Sequence, residues 1–116
     1  MAGDSCIFCK IASGDVKADI VYEDNDIIAF DDINPRAPVH VVIIPKRHIG
    51  MVSDLKEKDA GEFGRLTIAA NEIAQKKGVA SSGYRLVTNC GKDAGQEVAH
   101  IHIHLLGGRK FTWPPG

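Results

Sequence analysis

The sequence predicts an α+β domain, with a five-stranded antiparallel sheet, one long helix and a short N-terminal helix. Five short segments have the composition of β-strands, and one segment of helical periodicity separates the third from the fourth. The segments do not alternate as repeated β-α-β units, so an antiparallel sheet is the natural arrangement. A chain of 116 residues with 44% hydrophobic content suits one domain with one core, and we assign residues 1–116 to it.

The first half of the chain predicts three strands. Residues 19–24 and 26–32 both mix apolar and acidic residues, and Asp24-Asn25-Asp26 between them has the composition of a turn. A proline-containing loop, NPRAP, follows. The continuous β-branched run Val41–Ile44 is typical of a central strand, and Pro45 ends it.

The second half predicts the long helix and two more strands. Asp54 and Glu57 have the spacing of a capping box, and the Lys-Lys-Gly sequence at 76–78 is a suitable helix end. Residues 84–89 and 100–106 return to strand composition, and the glycine-containing segment GKDAGQE joins them. Apolar residues recur at helical spacing between the predicted helix ends: Phe63, Leu66, Ala70, Ile73 and Ala74.

Charge and cysteine content narrow the class of protein. A net charge of −1 is unlike the basic balance of a nucleic-acid-binding protein, so we expect no nucleic-acid partner. No apolar run approaches the roughly 20 residues of a membrane span, so we expect no membrane partner either. The N-terminal residues MAGDSCIFCK lack a secretory pattern, and three cysteines do not suggest a disulfide framework. We therefore expect a cytoplasmic protein.

A row of histidines is the first functional signal. His100, His102 and His104 fall at alternate positions in AHIHIHLLGG. Alternate residues of a strand point to one face, so the pattern predicts a strand with one apolar face and one histidine face. Such a row could bind a metal ion or act on a phosphate group, with one ring as nucleophile and others as proton donors.

Strand geometry bears on the choice between these two uses. Neighbouring side chains on one face of a strand are about 6.6–6.8 Å apart, so the outer two histidines would be about 13 Å apart. That spacing is too wide for all three to bind one metal ion easily, because metal–nitrogen bonds are about 2 Å long. A catalytic metal held by all three histidines is therefore the weaker alternative.

The pair of cysteines in Cys6-Ile7-Phe8-Cys9 is the second signal. A redox pair normally follows a strand and opens a helix, whereas almost nothing precedes this pair. A zinc site would need further ligands, usually to a total of four. His48 and His100 are candidates. Cys90 is another, although its position after a predicted strand suggests a buried thiol.

Several segments together resemble a known family. The sequence AHIHIHLL has the histidine triad signature of alternating histidine and apolar residues. The segments AFDDINPRAPVHVVIIPKRHI, GYRLVTN, AGQEVAHIHIHLLGGR and WPPG are similar to the histidine triad (HIT) family, in particular to its nucleotide-binding branch, Hint. The resemblance covers about residues 6–116. It implies a homodimer with one continuous sheet, a site for purine nucleoside monophosphates, and hydrolysis of nucleoside phosphoramidates to AMP or GMP.

The resemblance also implies roles for individual residues. His102 corresponds to the nucleophile, which becomes transiently nucleotidylated, and His104 to a residue that contacts the phosphate. The implied nucleotide site consists of Asp32, Ile33, Asn89, Gly95, Gln96, Glu97, His102 and His104.

One position departs from the familiar Hint pattern. Glu97 stands where a serine is expected beside the scissile bond. A carboxylate there should repel the phosphate, or else protonate the leaving group if its pKa is raised. Glu97 therefore leaves open a non-catalytic nucleotide-binding scaffold protein. A relative of the diadenosine polyphosphate hydrolases is a further alternative, although the sequences GQEVAHIHIHLLGGR and WPPG point away from it.

The resemblance implies a structural metal as well. Some members of the wider family bind zinc through an N-terminal CxxC together with two histidines. Cys6, Cys9, His48 and His100 correspond to that set, which implies one structural Zn²⁺.

Overall fold

The computed structural model describes residues 5–116, so residues 1–4 of the predicted domain lie outside the described residues. The five strands form one antiparallel sheet in the order β1-β2-β3-β5-β4, which confirms the predicted fold class. Neither helix in the described part of the chain has the length and apolar character needed to cross a membrane. The elements in chain order are α1 (Ile7–Ser13), β1 (Ile20–Glu23), β2 (Ile27–Asp31), β3 (Val39–Pro45), α2 (Ala60–Lys76), β4 (Tyr84–Val87) and β5 (Ile103–Gly107).

Each face of the sheet packs against one helix. Because side chains alternate along a strand, one set of apolar residues meets the long helix α2 and the other meets the short helix α1. On the α2 side the buried residues include Ala29, Val41, Ile43, Ile103 and Leu105 with Leu66 and Ile73. On the α1 side they include Ile28, Phe30, Val42 and Ile44 with Phe8 and Ile11.

The helix α2 begins later than the sequence predicts. It starts at Ala60, and residues 52–54 and 57–59 form separate 3₁₀ turns, so the capping box expected at Asp54 and Glu57 is wrong. The Asp59 carboxylate instead accepts a hydrogen bond from the Lys56 backbone N–H at 2.9 Å. Arg47 reaches the same carboxylate at 2.8 Å, so a contact distant in sequence fixes the start of the helix.

The last strand also begins later than predicted. The pairing of β5 with β3 starts at Ile103 opposite Ile43, so His100 and His102 precede the strand. The backbone N–H of Ile101 bonds to Ile49, 2.6 Å away, in the loop that follows β3. The segment before Ile103 is therefore held by the loop that follows β3 and not by a continued pairing with β3 itself.

Candidate active site and metal centre

An open cleft lies on the α1 side of the sheet and has a volume of about 1020 Å³. Helix α1, the loop between β2 and β3 and the loop before β5 form its walls. Most of the residues predicted to bind a nucleotide line this cleft: Asp32, Ile33, Asn89, Gly95, Glu97, His102 and His104. The fold thus brings together residues that are far apart in sequence.

Gln96 has a different position from its neighbours. Its side-chain oxygen accepts the Gly91 N–H at 2.9 Å, and its side-chain nitrogen donates to the carbonyls of Gly50 and Val98 at 2.8 and 2.9 Å. All of these bonds brace the loop. Gly91 and Gly95 have φ of 86° and 84°, a left-handed conformation that favours glycine, so the loop needs glycine at both positions.

The ring of His102 has one nitrogen engaged by the backbone. Its Nδ1 lies 2.7 Å from the carbonyl oxygen of His100, and a carbonyl can only accept, so Nδ1 carries the proton. The lone pair of a neutral ring is then on Nε2. Thr88 donates its hydroxyl to the His102 carbonyl at 2.8 Å and holds the backbone here.

His104 belongs to a chain of hydrogen bonds with a fixed direction. The Arg36 backbone N–H donates to His40 Nδ1 at 3.0 Å, so the proton of neutral His40 is on Nε2. That Nε2 lies 2.9 Å from His104 Nδ1, which must accept, and Asp32 lies 3.4 Å from the same Nε2. The remaining nitrogen of His104, Nε2, therefore carries a proton and can donate to a ligand.

Burial keeps His104 neutral. Burial, together with the nearby His102 and His40 and against the opposing effect of Asp32, lowers the pKa of this ring from 6.5 to about 4. Burial also lowers the pKa of His40, which Asp32 again opposes. At neutral pH both rings are therefore uncharged, as the direction of the hydrogen-bond chain requires.

The same three side chains would at first sight suit a metal ion. Ligand atoms of Asp32, His40 and His104 lie within 4.8 Å of one another. A metal on His40 Nε2 would require the proton to be on Nδ1, but Nδ1 faces the N–H of Arg36. The cluster is therefore better described as a hydrogen-bond chain than as a metal site.

A second cluster has the donor set of a metal centre. Ligand atoms of Cys6, Cys9, His48 and His100 lie within 4.8 Å of one another. The Nδ1 atom of His100 is 3.4 Å from Cys6 Sγ and 3.5 Å from Cys9 Sγ, and His48 Nδ1 is 3.2 Å from Cys9 Sγ. In a tetrahedral zinc site with ordinary bond lengths, sulfur and nitrogen ligands are about 3.5 Å apart. The four residues therefore fit a tetrahedral metal ion.

The surroundings of His100 orient it for that role. The ring is fully buried, and its Nε2–H donates to the Pro45 carbonyl at 2.8 Å, which directs the Nδ1 lone pair toward the cysteines. Burial and the adjacent Cys6 raise the pKa of the Cys9 thiol to about 11. A bound cation would counter this effect, because it stabilises the thiolate.

The histidine row contributes to two separate clusters. His102 and His104 line the cleft, whereas His100 faces Cys6 and Cys9. The prediction that all three lie on one histidine face is thus wrong for His100. Cys90 is exposed, which contradicts the prediction of a buried thiol.

Phe8 is a site residue that sequence reasoning missed. Its ring packs edge-on against the ring of His102 at a centroid distance of 5.1 Å, and against His100 at 5.9 Å. Phe30 supports it from the sheet at 5.5 Å. The available signal was an aromatic residue between two predicted metal ligands.

Comparison with known proteins identifies the family. A model of the HIT domain matches residues 13–111, and the chain belongs to the HIT domain family. An uncharacterised HIT-like protein of Synechocystis is 47% identical over 116 residues, which is the whole of both chains.

Two solved structures are also very similar. The HIT family hydrolase of Legionella pneumophila is 51% identical with a TM-score of 0.95, over 97% of this chain and 100% of that one. The HIT family hydrolase of Clostridium thermocellum is 50% identical with a TM-score of 0.92, over 94% of this chain and 95% of that one.

Proposed function

We propose that the protein is a purine nucleoside phosphoramidase of the Hint branch, which releases AMP or GMP through a covalent intermediate on His102. The observation that carries this proposal is the bond from His102 Nδ1–H to the His100 carbonyl. It leaves the Nε2 lone pair of a ring that lines the cleft available for attack on phosphorus.

The reaction takes place in two displacements. In the first, His102 Nε2 forms a bond to phosphorus and the P–N bond breaks; the amine keeps the bonding electron pair and takes a proton from solvent or from a protonated Glu97. In the second, water attacks phosphorus and loses a proton to solvent, the bond to Nε2 breaks, and the nucleoside monophosphate is released. Imidazole suits both steps, because it is a good nucleophile and a good leaving group near neutral pH.

Two features of the cleft support binding of the phosphate. His104 presents an Nε2–H donor without a positive charge, because its Nδ1 accepts from His40. Gly95 lines the cleft without a side chain and so leaves room for a phosphate beside the loop. The His104 donor would stabilise charge on the phosphate oxygens during the displacements.

Glu97 is the candidate for assistance to the leaving group. Its side chain is exposed and lines the cleft close in sequence to the reacting histidines. A protonated carboxyl in this position would donate to the departing amine, and an ionised one would repel the phosphate. Substitution of Glu97 by an uncharged residue would therefore slow the reaction in the first case and accelerate it in the second.

The metal centre is proposed to hold one structural zinc ion. Thiolate and neutral imidazole are preferred zinc ligands, and four protein ligands leave no open position for substrate. Cys6, Cys9, His48 and His100 would hold the ion, which would join the N-terminal helix to the end of β3 and to the histidine row. Zinc-binding thiols suit a reducing compartment, in agreement with a cytoplasmic location.

A homodimer is proposed on the evidence of one sheet edge. Strand β4 is at the end of the strand order and leaves one row of backbone groups without a strand partner in the described chain. Leu86 on this strand and Ile68 on α2 are 38% and 60% exposed. Pairing of β4 with its counterpart would continue the sheet across the dimer and cover apolar surface.

The test is incubation with adenosine phosphoramidate, with AMP release followed beside the His102→Ala variant. We expect the wild-type protein to turn over, and the variant to bind AMP with almost no turnover. AMP binding without turnover by the wild-type protein would favour the scaffold alternative. Faster cleavage of diadenosine polyphosphates than of the phosphoramidate would favour a relative of the diadenosine polyphosphate hydrolases.

A further inference from the structure

Helix α1 is both a wall of the cleft and the carrier of two metal ligands. Ile7, Phe8 and Ile11 line the cleft, while Cys6 and Cys9 belong to the metal centre. The two sets of residues interleave within two turns of one helix. Any movement of the helix would therefore change the metal centre and the cleft together.

The helix is too short to be stable by itself. It has 7 residues, and isolated helices below about 12–15 residues are marginal in water. The backbone bonds that close it, such as Lys10 N–H to the Cys6 carbonyl at 3.1 Å, are internal to the segment. Its attachment to the sheet comes from the buried Phe8 and Ile11, and from the two cysteines beside His48 and His100.

The exposed side of this wall is apolar. Ile7 is 42% exposed and Ile33, on another wall of the same cleft, is 88% exposed. Large aliphatic side chains exposed in a cleft are typical of a site for an apolar ligand surface. The flat face of a purine base is such a surface, whereas a phosphate group needs hydrogen-bond donors such as the Nε2–H of His104.

We propose that α1 is a metal-dependent wall of the cleft: zinc at Cys6 and Cys9 sets the affinity for the nucleoside part of a ligand, through Ile7, which lines the cleft, and Phe8, which packs against the ring of His102. Zinc bound at Cys6 and Cys9 holds the helix against the sheet. Without it, affinity for the nucleoside part of a ligand falls while affinity for the phosphate part is retained. The inference rests on the proposed function, because it divides the proposed nucleotide site into a metal-dependent part and a metal-independent part.

The experiment compares two probes by calorimetry, on zinc-loaded and chelator-stripped full-length protein. AMP carries a base and ribose 5-phosphate does not. Removal of zinc should weaken AMP binding about tenfold or more, the loss expected when the contact of one large aliphatic side chain is lost. Binding of ribose 5-phosphate should change less than about twofold. Amide hydrogen exchange in residues 7–13 should rise, with residues 60–76 unaffected.

A substitution tests the wall without removal of the metal. Ile7→Ser in zinc-loaded protein should weaken AMP binding and leave ribose 5-phosphate binding and zinc content unchanged. Ile20→Ser is the matched control, because Ile20 is 44% exposed on β1, outside the cleft lining. A stripped protein that fails to fold by circular dichroism would count against the metal-dependent wall, because the metal would then support the whole fold.

The outcomes separate this inference from the proposed function. Equal AMP affinity with and without zinc, or an Ile7→Ser variant that binds AMP like the Ile20→Ser control, would overturn the metal-dependent wall and leave the nucleotide site intact. Equal loss of both probes would also overturn it, since the metal would then support the whole fold. Folded, zinc-loaded protein that does not bind AMP would refute the proposed function and this inference together.

Discussion

The tautomers of the histidines near the cleft are set one by one by neighbouring groups. His102 donates from Nδ1 to a backbone carbonyl, and His100 donates from Nε2 to another. His40 accepts at Nδ1 from a backbone N–H and so donates from Nε2 to His104. His100 thus presents Nδ1 to the cysteines, whereas His102 and His104 both present Nε2, the first with a lone pair and the second with a proton.

The depressed pKa of His104 predicts an effect of acid on stability. The folded-state pKa of about 4 is below the ordinary 6.5, so the unfolded chain binds a proton first as pH falls. The stabilisation from this ring is therefore complete above about pH 6.5 and is lost as pH falls towards 4. We expect the free energy of unfolding to decrease over that range, by at most about 1.4 kcal/mol per pH unit from this group.

The measurement is urea unfolding between pH 4 and 7, with His104→Asn as the comparison. Asparagine does not titrate but can still accept a hydrogen bond from His40. Acid also weakens metal binding in both proteins, so the difference between the two pH curves isolates His104. Parallel curves would contradict the prediction.

Glu97 predicts a dependence on the leaving group. If Glu97 protonates the amine, Glu97→Gln should slow the hydrolysis of AMP-phosphoramidates with poor leaving groups by about tenfold or more. Hydrolysis of those with good leaving groups should slow much less. Steady-state rates over a series of amines measure this. Glu57→Gln, an exposed glutamate in the 3₁₀ turn before α2, serves as control. A uniform loss argues against the acid role, and faster turnover indicates repulsion of the phosphate.

At the scale of elements, the sequence predicts well which segments are helices and strands, but it predicts their first and last residues poorly. Residue composition and periodicity predicted all five strands and the long helix, because burial imposes those patterns. The ends of α2 and β5 depend on contacts distant in sequence. Arg47 contacts Asp59 before α2, and the segment before β5 bonds to Ile49 in the loop after β3 instead of extending the pairing with β3. Local patterns contain no information on either contact.

The attachment of α1 predicts that loss of one metal ligand destabilises the protein. Cys9→Ser should lose the zinc and lower Tm by about 5 °C or more, since a closed four-ligand site contributes directly to folding. Elemental analysis and calorimetry provide the two measurements. Cys90→Ser, at the exposed cysteine, should retain both properties, and His102→Ala should retain the zinc. Zinc lost with His102→Ala would instead revive a catalytic metal.

At the scale of the whole molecule, the edge of the sheet formed by β4 predicts that two copies of the chain associate. Leu86→Arg on β4 should convert a dimer into monomers at micromolar concentration, because it places a charge in the proposed interface. Analytical ultracentrifugation measures the effect. Ile20→Arg, on the opposite edge strand β1, should leave the dimer unchanged. A wild-type protein that is monomeric at these concentrations would refute the proposed dimer.

Much of the candidate site could be predicted because its chemistry is concentrated in short motifs. The histidine row and the CxxC are recognisable as sequence, and the structure gathers Cys6, Cys9, His48 and His100 as the resemblance implied. Phe8 was missed because an aromatic residue on a short helix ordinarily indicates core. The bracing role of Gln96 depends on where Gly50 lies after folding, which only the three-dimensional structure reveals.

The double use of His100 has a consequence for divergence among relatives. Its ring faces the metal centre, whereas its backbone carbonyl orients the ring of His102. A substitution at this position can abolish the ring but not the carbonyl, which every amino acid carries. Descendants of this protein can therefore lose or regain this candidate metal ligand through point mutations, while the backbone contact that orients the ring of His102 is retained. Substitution at this position would therefore be expected to yield relatives that bind no metal but retain His102.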